Sequence, residues 1–179
     1  NELEKFKGMS YRHFYPLFMK TFNINEETEL IRKKLRTYLH KIMENDLKFI
    51  DGFKEFYELN IKDSDIRVGL VTNTTRLTYK KIQTCINIDD YFNYTITVDE
   101  AKEPKPSPIP YLQAMSSLSL NNKNTVIIED SKTGLVSACR TKAQVLGITT
   151  SLNREEIRKI DNNIVIVDSY IEICKYLSN

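Results

Sequence analysis

Thr125-Val126-Ile127-Ile128-Glu129-Asp130-Ser131-Lys132-Thr133-Gly134 is the stretch on which the reading of this chain turns. Its opening apolar run, rich in β-branched side chains, reads as a short buried strand. The run stops at two adjacent carboxylates and a serine, and a helical segment near 132–141 follows. Neighbouring acids at a buried strand end repel one another, and a cation between them removes that cost. Mg²⁺, a hard ion that takes oxygen ligands, suits Glu129 and Asp130. The same residues also read as a helix start capped by Asp130 or Ser131.

Outward from this stretch the pattern repeats. Short apolar runs at 66–71, 94–98, 145–148 and 164–167 alternate with helical segments near 53–60, 75–86, 108–119 and 170–178. Such alternation predicts an α/β fold, a Rossmann-like doubly wound sheet of right-handed βαβ units. In such sheets chemistry sits beyond the carboxyl ends of the strands, here at Thr72-Asn73, Asp99-Glu100 and Glu129-Asp130. With only five glycines, the chain holds neither G-x-G-x-x-G nor G-x-x-x-x-G-K, which argues against dinucleotide and P-loop sites.

Residues 1–48 read differently. Phe14, Leu17, Phe18 and Phe22 recur at helical spacing, as do Leu30, Leu35, Leu39, Ile42 and Met43. Asn25 before Glu26 and Glu27 is a plausible helix start. The expectation is a small α-helical subdomain over 1–48, two antiparallel helices, ahead of an α/β core over 49–179.

Two more segments carry candidate chemistry. Thr72-Asn73-Thr74-Thr75 ends one strand and opens a helix, so hydroxyls and backbone N–H groups there can hold a phosphate. Thr and Asn are equally good helix caps. Lys105 stands in Lys102-Glu-Pro-Lys105-Pro106-Ser-Pro108, where prolines stiffen the approach to a helix. Its ammonium can neutralise a phosphate and a carboxylate together, although a solvated loop lysine has the same local sequence. Lys102 is the rival in that loop.

Taken together, these segments resemble the motifs of the haloacid dehalogenase superfamily. Val71-Thr72-Asn73 is similar to its second motif, and Lys105-Pro106-x-Pro108-x-x-Tyr111-Leu112-x-Ala114 to its third. Ile127-Ile128-Glu129-Asp130-Ser131-x-x-Gly134-Leu135-x-Ser137-Ala138, ending in Gly147-Ile148, resembles its fourth. Phe6-Lys7-Gly8-Met9-Ser10 is similar to the substrate-facing loop of the helical-cap subgroup, which includes beta-phosphoglucomutase and phosphoglycolate phosphatase. The resemblance implies a Mg²⁺-dependent phosphatase or phosphotransferase acting on a small phosphorylated metabolite through an aspartyl-phosphate. It implies that Thr72, helped by the Asn73 backbone, binds the transferred phosphoryl group and that Lys105 bridges that group and the nucleophile. Glu129 and Asp130 then hold Mg²⁺, Asp130 more directly, and Lys7 and Arg12 are candidate substrate contacts in the cap.

One motif of the superfamily is absent from this chain. The first motif, Asp-x-Asp-Gly at the end of the first core strand, supplies the nucleophile and the acid-base group. Asp63-Ser64-Asp65 has the spacing but precedes a strand, Asp51-Gly52 opens a helix, and Asp168 has no second acid. The missing strand belongs at the centre of the sheet, between those ending at Thr72 and Glu129. Because the chain opens on Asn1 and not on Met, the expectation is a piece of a longer protein whose nucleophilic Asp lies upstream. A catalytically inactive binding or regulatory protein of the same fold is the alternative. A dehalogenase proper is disfavoured, since Glu129-Asp130 implies a metal that dehalogenation does not need.

Composition narrows the partners. Acids and bases nearly cancel to +2 and are dispersed, which argues against a nucleic-acid surface. No run approaches the roughly 20 apolar residues of a membrane helix. Cys85, Cys139 and Cys174 are odd in number and far apart, as expected of free thiols in a reducing compartment. A cytoplasmic monomer is expected. The geometric requirement is sharp: Thr72, Lys105, Glu129 and Asp130 must meet in one pocket.

Overall fold

The computed structural model describes residues 2–6, 9 and 11–177. A 3-10 turn (Glu2–Phe6) leads into α1 (Tyr11–Thr21), α2 (Thr28–Asp46) and α3 (Phe53–Asn60). Strands and helices then alternate: β1 (Gly69–Val71), α4 (Arg76–Cys85), β2 (Tyr94–Ile96), α5 (Ile109–Ser117), β3 (Val126–Glu129), α6 (Lys132–Cys139), β4 (Gln144–Ile148), α7 (Arg154–Arg158), β5 (Val165–Val167) and α8 (Tyr170–Leu177). Every strand pairing is parallel, as the strand–helix alternation requires.

The aromatic stripe read from the sequence does pack as one. Phe6 is buried against the rings of Phe14 and Phe18, with centroids 5.4 and 5.7 Å away. α2 begins at Thr28, later than the expected start at Asn25, and its N-cap residue Glu27 makes no side-chain cap. Glu26 is instead drawn into an ion pair with Lys34. α2 lies against α4, where Lys81 pairs with Glu44 at 2.5 Å.

Strands β1, β2 and, by one residue, β5 are shorter than their apolar runs. Val68 is engaged by Asn93, whose side chain accepts from its N–H and whose own N–H donates to its carbonyl, both at 2.8 Å. At the far end of β2, Glu100 takes the Thr97 N–H at 2.8 Å and turns the chain out of the sheet. Helix α7 falls where no helix was expected. Its signal is Asn153-x-x-Glu156, a reciprocal capping box in which each side chain takes the other residue's backbone N–H.

The strands form two groups, β1-β2 and β3-β4-β5, with no ladder between β1 and β3 among the described residues. In the parallel ladder Val68 and Thr72 turn their backbone groups toward β2. By alternation Leu70 does the same, so Gly69 and Val71 present theirs to the opposite, unladdered side. α5 packs on β1 and β2, α6 packs on β3 and β4, and the two helices touch each other. The apolar interior gathers Leu135, Val145 and Ile157 on one side of β4, and Phe56, Leu146 and Ile173 on the other. No helix among the described residues is long and apolar enough to cross a membrane. Cys85, Cys139 and Cys174 are half-buried and form no disulfide among the described residues.

Leu146 is fully buried on the strand that joins the three-stranded group. Leu146→Ala is expected to lower unfolding stability by about 2–5 kcal/mol, measured by urea denaturation, because the cavity cannot close against a sheet paired on both sides.

Candidate active site

At the carboxyl ends of β1 and β3 lies an open cavity of about 510 Å³. Thr72, Asn73, Lys105, Glu129 and Asp130 all line it, so the residues expected to meet do meet. Each arrives from a different local cause.

Lys105 follows Pro104 and precedes Pro106 in the loop before α5, and Asn73 grips that loop. The Asn73 side chain accepts from the Lys105 N–H at 3.1 Å and donates to the Lys105 carbonyl at 3.3 Å. The Lys105 side chain, 6% exposed, then runs inward beneath the cavity. Its ammonium donates to the Val71 carbonyl at 2.8 Å, to the Tyr111 hydroxyl at 3.0 Å and to Glu129 Oε1. An ammonium has three protons, so each is committed. The Val71 carbonyl faces the unladdered side of β1, and Lys105 satisfies it.

Glu129, 9% exposed, is saturated in the same way. Oε1 accepts from Lys105 and from the Tyr111 hydroxyl. Oε2 accepts from the Ser131 hydroxyl at 3.1 Å and from the Asp130 N–H at 3.2 Å, in front of the first turn of α6. A negative charge is favoured at that end of a helix. Gly134 makes the approach possible, since a Cβ there would sit 2.0 Å from Oε2. Burial alone would push the Glu129 carboxyl up, yet the adjacent Lys105 ammonium and the hydrogen bonds from Lys105 and Tyr111 hold it below its ordinary value. Burial, reinforced by Glu129, drives the Tyr111 hydroxyl well above its usual range, so it remains a donor.

Asp130 points elsewhere. Its Oδ2 accepts from the Ser151 hydroxyl at 2.6 Å and the Thr150 hydroxyl at 2.9 Å, both from the turn after β4. Oδ1 accepts no hydrogen bond among the described residues. Thr72 Oγ1 accepts from the Thr74 N–H at 3.0 Å, which leaves its own proton to donate. The helix cap that Thr72 might have provided belongs to Thr75, whose hydroxyl accepts from the Thr78 N–H.

The other candidates lie apart. Lys7 falls outside the described residues, and Arg12, exposed on α1, does not line the cavity. Lys102 is exposed in its loop. Asp99 and Glu100 serve α4: Asp99 accepts from the Arg76 N–H at 2.7 Å, and Glu100 pairs with the Arg76 side chain at 2.7 Å. The hydrogen bond from Arg76, opposed by burial and aided by Thr97, draws the Glu100 carboxyl down to about 2. Asp168 is tied to Arg154 at 2.6 Å in a separate surface groove. Three contributors were given no role in the sequence reading: Tyr111, Thr150 and Ser151. The last two follow the carboxyl end of β4, where the strand-end rule already pointed.

Magnesium was expected between Glu129 and Asp130. No group of three or more metal-ligating His, Cys, Asp or Glu side chains exists among the described residues. Glu129 is engaged by Lys105, Tyr111, Ser131 and the Asp130 N–H, and the Lys105 ammonium supplies the nearest positive charge to it. Among the described residues lining the cavity, Asp130 alone has a carboxylate oxygen without a hydrogen bond. One such oxygen fits Mg²⁺, which commonly keeps several waters and takes one or two carboxylates plus substrate phosphate.

Charged and hydroxyl side chains gathered beyond the carboxyl ends of parallel strands define a Rossmann-like α/β enzyme. The family model for haloacid dehalogenase-like hydrolases matches residues 1–148, and the chain belongs to that family. Among curated relatives, a phosphorylated carbohydrates phosphatase of Thermotoga maritima is 26% identical over 147 residues, covering 82% of this chain and 68% of that protein. Pyrophosphatase PpaX of Oceanobacillus iheyensis is 28% identical over 153 residues, covering 84% and 68%. Among solved structures, a family IA HAD hydrolase of Entamoeba histolytica superposes with a TM-score of 0.82 at 18% identity, covering 99% of this chain and 83% of that one.

Replacing Lys105 by Met strands the Glu129 charge and is expected to cost about 3–5 kcal/mol, read by urea denaturation at pH 7. The double variant Lys105→Met/Glu129→Leu should recover much of that loss. Because the folded-state carboxyl titrates below its unfolded value, ionised Glu129 stabilises fully above roughly pH 5. That contribution fades as pH falls through the depressed value, and Glu129→Gln should remove this acid-side dependence from the stability curve.

Proposed function

We propose that the protein is a Mg²⁺-dependent phosphatase or phosphotransferase acting on a small phosphate ester, with an aspartyl-phosphate formed on an Asp outside these residues. The observation that carries this reading is the convergence of Thr72, Lys105 and Asp130 on the cavity where β1 and β3 lack a shared ladder. A parallel strand entering between them would pair with the backbone groups of Gly69 and Val71 and bring its terminal residues to this rim. The names of the relatives, phosphatases of phosphorylated carbohydrates and of pyrophosphate, favour small phosphorylated substrates. The helices over 1–48 form the cap in this reading.

The chain's own groups then have distinct tasks. The Thr72 hydroxyl donates to a phosphoryl oxygen, and the backbone of the turn at Asn73 adds to that cradle. A strand N–H that takes over the Val71 carbonyl frees one Lys105 proton, which turns to the phosphoryl group and the incoming carboxylate. Held by Glu129 and Tyr111, the ammonium needs little reorganisation as charge develops. Asp130 would hold Mg²⁺ through Oδ1, and that ion would offset phosphoryl charge during in-line transfer. Thr150 and Ser151 keep Oδ1 turned to the cavity.

The test compares this chain with a longer natural product carrying an Asp-x-Asp ahead of it, assayed on p-nitrophenyl phosphate. Activity is expected in the longer product, in Mg²⁺ only, with Lys105→Ala lowering it at least about a hundredfold. Chelator-insensitive activity would refute the metal role. A native protein of 20.9 kDa by intact mass, without phosphatase activity, would establish the inactive binding protein in its place.

Metal affinity offers a separate check. Ser151→Ala is expected to weaken Mg²⁺ binding, followed by calorimetry, about tenfold or more, because the carboxylate loses a hydrogen bond that orients it.

A further inference from the structure

The two hydroxyls on Asp130 come from the turn after β4, and the backbone of that turn is fastened by hydrogen bonds only at its ends. At one end the Thr149 N–H donates to the Val167 carbonyl at 3.0 Å, and the Thr149 hydroxyl donates to Asp168 Oδ1 at 2.7 Å. At the other, Asn153 caps α7, whose Ile157 is fully buried. Residues 150–152 make no backbone hydrogen bond among the described residues. Arg154 closes the span. Its guanidinium donates to Asp168 Oδ2 at 2.6 Å through Nη2 and 3.2 Å through Nε, and to the Ile166 carbonyl at 3.4 Å. Asp168 therefore joins both ends of the turn, one oxygen holding Thr149 and the other Arg154. A planar guanidinium against a carboxylate fixes direction as well as distance. The Arg154 and Asp168 side chains are 43 and 50% exposed, and an ion pair that open to water adds little to stability. Its worth lies in placing the turn.

We propose that Arg154 and Asp168 are positioning residues: by holding both ends of the 149–153 turn they aim the Thr150 and Ser151 hydroxyls at Asp130, and so set the direction of Oδ1 and the affinity of the site for a divalent cation. The inference rests on the reading of Asp130 as the carboxylate that holds Mg²⁺. Hydroxyl–carboxylate bonds weaken steeply with distance and angle, and the two here, at 2.6 and 2.9 Å, leave little slack. With the clamp open the turn regains backbone freedom, and the cost falls on the orientation of the carboxylate. Arg154 acts on a bound cation in two opposite ways. Its charge repels the ion through space, while its grip on the turn favours binding. The direction of the change on removing it separates the two.

Calorimetric titration of the full chain with Mg²⁺ reads that direction. Arg154→Met is expected to weaken Mg²⁺ binding about three- to tenfold, less than the loss of a direct partner of the carboxylate, even though it removes a positive charge. Arg154→Lys, with charge but no fork, should fall between. The urea midpoint should stay close to that of the unaltered protein in both. With Thr150→Ala and Ser151→Ala already in place, Arg154→Met should cause no further weakening, because the turn then has no hydroxyl left to aim. Unchanged or tighter Mg²⁺ binding in Arg154→Met would overturn the proposal. So would the same weakening with both hydroxyls removed, or a weakening matched by a large fall in the urea midpoint. If the unaltered protein binds no Mg²⁺, or binds it equally well as Asp130→Asn, the reading of Asp130 is at fault and the inference falls with it.

Discussion

The ion pair between Lys105 and Glu129 holds the two strand groups in relation to each other. Lys105 comes from the loop before α5 and Glu129 from the end of β3, yet the same ammonium reaches back to the carbonyl of Val71 on β1. Burying such a pair is favourable only if the remaining hydrogen-bonding capacity of both ions is met. Here it is met on every side: Tyr111 donates to the carboxylate and accepts from the ammonium, and Ser131 with the first turn of α6 takes the other carboxylate oxygen. The absence of a side chain at Gly134 is part of the same arrangement, because it gives the carboxylate room against the helix.

That network also divides labour between two adjacent acids. Successive residues of a strand point to opposite faces, so Glu129 and Asp130 cannot readily serve one purpose. Glu129 turns inward and fixes the position of a positive charge. Asp130 turns to the cavity and is steadied by hydroxyls from the next strand's terminus. A lysine so held is a preorganised charge, which is what phosphoryl transfer asks of a protein. Family membership and the geometry of the rim thus point the same way, from independent observations.

α2 rests on α4, the helix that opens just after the Thr72 turn, and the two border a second cavity beside the first.

Much was legible from residues alone, because the signals were local. β-branched runs named all five strands, and Thr72, Lys105 and Asp130 could be picked out by their place after a strand or before a helix. Helix α7 was missed: its one signal is the Asn153 and Glu156 capping box, and a single short turn carries little periodicity. What local sequence could not determine was direction and partnership. That Glu129 faces Lys105 depends on a contact spanning 24 residues, and Tyr111 gained its place only because a helix turned its hydroxyl toward both. Ser151 meets Asp130 because β4 lies beside β3, and Arg36 lies near the Thr74–Thr75 turn because α2 packs on α4. Such pairings are set by how layers stack, and chain distance carries no record of them.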